Sequence, residues 1–167
     1  MQALARQKSA KATFTEKKYL AVVDQPLESA GELSYTAPDR LEKRTLTPKL
    51  ESLVLDGDRL IIERAGKRRL IISTESRPDA AAFVESVRGT LAGDLNALKT
   101  YYTVDFSGGA AAWKLTLVPK QTDMLKLISR IRIDGANDRI TFIVFEQADG
   151  DRSEMRVVPV TVPVTAP

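Results

Sequence analysis

Two short acidic stretches, Asp56-Gly57-Asp58 and Asp149-Gly150-Asp151, are the first places to look for chemistry. Paired carboxylates could ligate calcium, but a calcium loop needs alternating oxygen ligands, a glycine and a distant bidentate glutamate. Neither stretch continues that way, and Asp-Gly between apolar runs is a strong hairpin signal. Ser86 with Lys17 or Lys18 could in principle make a Ser–Lys pair, yet nothing in their spacing singles them out. The chain has no histidine and no cysteine. That excludes Ser-His-Asp triads, cysteine nucleophiles, disulfides and Cys/His zinc sites within it. The expectation is a protein without catalytic residues, metal or cofactor.

Charge is the next candidate. Arg40, Lys43, Arg44, Arg59, Arg64, Lys67, Arg68 and Arg69 crowd one region. They read either as solvated strand and turn positions or as a docking face for an acidic partner or anionic head groups. Arg40, Lys43, Arg44, Arg68 and Arg69 are the candidates for that face. No aromatic side chains interleave with these charges to stack on bases, and the net charge is only +3, so no nucleic-acid partner is expected.

The elements that must position these residues centre on residues 31–63. Leu33 and Tyr35 alternate with Glu32 and Ser34, the period of a half-buried strand. Pro38 breaks the run, because proline fixes φ and restricts its predecessor. A second strand over 40–46 stops before Pro48, a third covers 52–55, and Asp56-Gly57-Asp58 turns into a fourth over 60–63. Upstream, residues 1–12 are rich in Ala, Lys, Gln and Arg and predict a short helix, and 13–23 predict a first strand. Downstream, Gly66 turns into a strand over 68–73.

From Pro78 the apolar period changes to three and four: Phe83, Val84, Val87, Leu91, Leu95 and Leu98 form an amphipathic stripe. Gly89 and Gly93 interrupt it, and Asp94 is a good N-cap. Two short helices bent near Gly93 are expected. Strands resume over 102–106 and 113–118, where Trp113, Leu115 and Leu117 share a face. Residues 124–128 read as a helical turn or the start of a strand reaching Asp134. A central strand over 140–147 and a last one over 155–158 follow. The 167 residues, 43% apolar and 28% charged, suit a single domain with a sizeable core. That domain is expected over 1–158, with an extended Pro/Val/Thr tail over 159–167. The pattern predicts an α+β fold: one curved antiparallel sheet, an unclosed half-barrel, with helices over the concave face.

Several of these stretches, taken in order, resemble the outer-membrane lipoprotein carrier (LolA-like) family. Phe14-Thr15-Glu16 stands where the family has an F-x-Q/E strand, residues 31–38 where it has G-x-L-x-x-x-x-P, and residues 48–60 where it has a Pro-led L-V-x-D-G hairpin. Residues 146–153 match a late turn ending in Arg-Ser. The resemblance implies a periplasmic carrier whose export signal is removed. It would take acylated lipoprotein or another lipid cargo from an inner-membrane donor to an outer-membrane acceptor, as a monomer. Departures are visible: the arginine that the family usually carries before the strand-ending proline, tied there to lid closure, is Ala37 here, and the 6% aromatic content is low for such a cavity. They make the chain a divergent member.

Periodicity alone leaves two readings of the apolar residues, a filled core or a ligand cavity. The resemblance favours the cavity. Leu33, Tyr35, Leu53, Leu55, Trp113, Leu115 and Leu117 would form its sheet wall. Phe83, Val84, Val87, Leu91 and Leu95 would form a lid, flexing at Gly89 and Gly93. The alternative is a non-catalytic interaction domain of the same fold, with a filled core and the basic face as its docking surface.

Overall fold

The structure, a computed structural model, describes residues 8–73, 76 and 78–160, without the side chains of 78–84. Residues 1–7, the lid side chains of Phe83 and Val84, and 161–167 of the tail lie outside the described residues.

Eleven strands form one antiparallel sheet: β1 Ser9–Tyr19, β2 Leu27–Thr36, β3 Arg40–Thr47, β4 Glu51–Asp56, β5 Arg59–Arg64, β6 Leu70–Ser73, β7 Tyr102–Gly109, β8 Ala112–Pro119, β9 Ile128–Ala136, β10 Arg139–Gln147 and β11 Arg152–Pro159. Their order is β6-β5-β4-β3-β2-β1-β11-β10-β9-β8-β7. Two meanders are thus joined where the first strand pairs with the last, Phe14 opposite Val157 and Glu16 opposite Met155. β6 and β7 remain as edges, so the barrel is not closed. Among the described residues the helices are α1 Pro78–Leu91, α2 Leu95–Tyr101 and α3 Thr122–Leu125; α1 and α2 pack on the concave core through Val87, Leu91 and Leu98, and α3 is a single turn joining β8 to β9. Among the described residues no helix is long and apolar enough to cross a membrane.

Alternation fixes which residues face inward. Phe14, Leu55, Leu115, Leu117, Ile131, Ile133, Ile143 and Met155 belong to one buried cluster. A register slip of one residue would turn each such strand's apolar set to water. Glycines permit close approaches within the sheet. Gly31 sits where β2 shifts register against β3, and a Cβ there would run into the Arg44 carbonyl. Gly135 lies beneath the Trp113 ring, which a Cβ would displace. Trp113 is further held by Nε1 donating to the Asn137 carbonyl at 3.1 Å and by stacking on Phe106.

Several boundaries differ from the sequence reading. Residues 9–12 are the start of β1 and not helix, because they pair with β2 along their length, Ala10 opposite Tyr35 and Ala12 opposite Leu33. The first strand ends at Tyr19, and residues 20–26 form the hairpin connection. Both readings of 124–128 hold in part: α3 supplies a helical turn, then β9 begins at Ile128. β9 extends past Asp134 to Ala136, and the turn falls at Asn137, whose φ is +55°. Pro159 still belongs to β11, and the Val160 amide donates to the Lys11 carbonyl at 2.9 Å.

Before α2 begins, α1 ends in a left-handed cap. Gly93 has φ +65°, its amide donates to the Thr90 carbonyl, and the Asp94 amide donates to the Gly89 carbonyl, each at 3.0 Å. Asp94 then caps α2, its carboxylate accepting from the Ala97 amide at 2.9 Å.

Candidate functional site

A cavity of about 710 Å³, partly open to solvent, lies between the sheet and α1. Ala10, Ala12, Leu33, Tyr35, Leu41, Ile143 and Val157 form its apolar wall, and Val87 and Leu91 of α1 face them. Arg40, Glu42, Asp138 and Arg139 also border it. The small side chains of Ala10 and Ala12 on adjacent positions of one strand face leave the room that larger residues would fill.

Of the residues expected to face a ligand space, Leu33, Tyr35, Val87 and Leu91 border this cavity. Leu55, Leu115 and Leu117 are fully buried and Trp113 nearly so, in the same core cluster as the cavity's walls, and none of them borders the cavity. Leu53 packs on that core, and Leu95 is half-buried at the start of α2. Gly89 lies within α1, where a Cβ would come within 2.8 Å of the Leu98 side chain on α2. It lets α1 and α2 approach.

The basic residues do not share one face. Arg40 and Arg44 point outward from β3, but Lys43 points inward, opposite Leu33 and Leu53. Arg40 pairs with Asp56 at 3.4 Å, and Arg69 with Glu63 at 3.3 Å. Arg68 lies in the β5–β6 connection. The two acidic stretches are hairpin turns with positive-φ glycines, and Asp151 also accepts from the Ala21 amide at 2.9 Å. Ser86 is buried inside α1, whereas Lys17 and Lys18 are exposed on β1.

One long-range contact of α1 escaped the sequence reading. Arg88, on the α1 turn between Val87 and Leu91, reaches across to the sheet. Its Nη1 donates to the carbonyls of Gly57 at 2.8 Å and Asp39 at 3.3 Å, and its Nη2 pairs with Glu85. The guanidinium thus ties the helix bordering the cavity to two hairpin turns at once. Tyr35 lies nearby, its hydroxyl 3.4 Å from the Pro38 carbonyl. Burial pushes the Tyr35 phenol up, Arg88 draws it down, and Asp39 raises it. Tyr102 behind α1 is pushed up by burial, reinforced by Glu85.

An open antiparallel half-barrel, with helices over its concave face and a hollow beneath them, defines a class of fold. The chain belongs to the family described as outer membrane lipoprotein carrier protein LolA-like, whose model matches residues 1–157. The fold is similar to that of a LolA superfamily protein, NE2245 from Nitrosomonas europaea, at a TM-score of 0.50 and 10% identity, over 97% of this chain and 92% of that one. Weaker likeness extends to the MucA/MucB complex of Pseudomonas aeruginosa, with TM-score 0.48 and 15% identity, over 97% of this chain and 55% of that one. A chain in the complex of the CwlD amidase with the GerS lipoprotein from Clostridioides difficile gives 0.42 and 12%, over 99% and 90%. No curated protein sequence matches.

Proposed function

We propose that this protein is a periplasmic, non-catalytic carrier. It takes the acyl chain of a lipoprotein or another lipid-like cargo into the cavity beneath α1, receives that cargo at the inner membrane and passes it towards the outer membrane. The observation that supports this reading is the apolar-walled cavity itself. Its volume of about 710 Å³ lies in the range of about 300–1,000 Å³ typical of small-molecule sites.

Energetics shape how such a carrier works. Burying an acyl chain gains about 0.8 kcal/mol per CH₂, so two long chains would nominally reach ~20 kcal/mol or more. That is the ceiling for non-covalent affinity, and such a cargo would never leave. The cargo is therefore only partly engulfed, and α1 moves to release it. Arg88 is placed to hold α1 down from the helix side, whereas the position before the strand-ending proline is Ala37.

The test is uptake of a fluorescent long-chain fatty-acyl probe by the intact protein and by Ala12→Phe, which fills the cavity. Saturable binding weakened at least tenfold in the variant supports the carrier. Equal uptake by both proteins, or none by either, refutes it.

A further inference from the structure

The concave face does not stay apolar along its length. On β1, Ala12, Phe14 and Glu16 follow one another on the inner face, at steps of about 7 Å. Ala12 borders the cavity, and Phe14 stands opposite Val157, which borders it too. At Glu16 the face changes character. Lys43 projects from β3, opposite the cavity residue Leu33, with its Nζ 5.2 Å from the centre of the Phe14 ring. Nζ lies 3.2 Å from both Glu16 carboxylate oxygens, and the Ser153 hydroxyl donates to Oε2 at 3.0 Å. The Lys43 and Glu16 side chains are 21% and 14% exposed.

A charge pair this enclosed is weak support for stability. Desolvation offsets the attraction, and well-packed apolar residues of similar volume often serve as well or better. Its position, with Lys43 opposite the cavity residue Leu33 and Glu16 one inner-face step past Phe14, points to another use. We propose that Lys43, Glu16 and Ser153 form a head-group subsite that binds the neutral carbonyl of an ester- or amide-linked acyl chain whose tail lies in the cavity.

Two features select that chemistry. An ammonium has three N–H donors, and among the described residues Lys43 directs its hydrogen bonds to Glu16 alone, which leaves donor capacity for a ligand oxygen. The pair is also neutral overall. A free carboxylate or phosphate brought to Lys43 would meet the Glu16 carboxylate in a partly desolvated site, where like charges repel strongly. An ester or amide carbonyl accepts the hydrogen bond without that repulsion. The subsite thereby distinguishes acylated cargo from free fatty acid. This inference rests on the carrier reading.

The test uses the intact protein, with 1-monopalmitoylglycerol and palmitate as ligands in competition with the acyl probe. The two ligands differ in their own hydrophobicity, so the deciding quantity is how their affinity ratio changes in the double variant Glu16→Gln/Lys43→Met, which keeps the side-chain volumes and leaves no unpaired charge. The wild type is expected to favour the ester, and the double variant to shift the ratio about tenfold towards palmitate. If the ratio is unchanged while both proteins bind both ligands, the head-group subsite is refuted and the carrier survives. A double variant altered only in thermal stability likewise refutes the subsite and leaves a purely structural ion pair. Uptake of neither ligand by the wild type overturns both readings.

Discussion

Arg88→Met removes the tie between α1 and the sheet while keeping an aliphatic stem of similar length. Arg88 is 18% exposed, and its two carbonyl contacts measure 2.8 Å and 3.3 Å. A hydrogen bond from a charged donor contributes about 1.5–3 kcal/mol net, and the longer contact adds less than the shorter. The Gly57 and Asp39 carbonyls regain water once α1 lifts, so the loss in holding α1 down is about 2 kcal/mol. That corresponds to about a thirtyfold rise in the population with α1 detached, at 1.36 kcal/mol per tenfold. Native-state hydrogen exchange reads it directly. Amides of residues 86–91 should exchange about thirtyfold faster, while those of Leu115 and Ile131 in the sheet change much less. Unchanged α1 protection would refute the tie. Equal loss in helix and sheet would mean that Arg88 stabilises the whole fold and not the position of α1.

Three further outcomes follow from the geometry. An unfolded tyrosine ionises near 10.0, and folding raises Tyr102 above that. Its contribution is therefore intact below pH 10 and declines as pH rises towards the folded value, by about 1.4 kcal/mol per pH unit. Denaturant titrations between pH 9 and 11 should show a shallower decline in Tyr102→Phe, and an identical slope in both proteins would contradict the assignment. Gly135→Ala should push the Trp113 ring out of its seat, destabilise the fold by about 1–3 kcal/mol and red-shift the emission of the single tryptophan; an unshifted spectrum at unchanged stability speaks against that packing. If the joint between α1 and α2 is where the lid flexes, Gly93→Ala, costing about 1–2 kcal/mol in a left-handed conformation, should change the release rate of a bound acyl probe. Gly66→Ala, equally left-handed but in an open hairpin turn, should not, and equal rates in all three proteins would exclude Gly93 as the joint.

Much of the fold could be read from local chemistry. The meander from β2 to β5 follows from proline stops, the Asp56-Gly57 turn and the alternation of Leu33 with Tyr35. The bent pair of helices follows from Gly93 and the Asp94 cap. The start of β1 did not, because alanine at 10 and 12 favours a helix in isolation, and pairing of this strand with a neighbour on each side overrides that preference. The same two alanines explain why the site was only half legible. Alternation tells which side chains face inward, and it identified Leu33 and Tyr35 as readily as Leu115 and Leu117. It does not tell where the opposing surface is missing. The hollow exists because Ala10 and Ala12 lack volume, which leaves no apolar signal. Arg88 and the Lys43–Glu16–Ser153 cluster depend on contacts between residues 27 to 137 positions apart. No local pattern encodes those pairings.

The most direct measurement of the central claim is native mass spectrometry with lipid extraction, on wild type and Ala12→Phe each expressed with an export signal. The carrier account predicts an acylated species bound to the wild type and depleted in the variant. A ligand-free mass for both proteins, with no uptake of added acyl probe by the wild type, would contradict it.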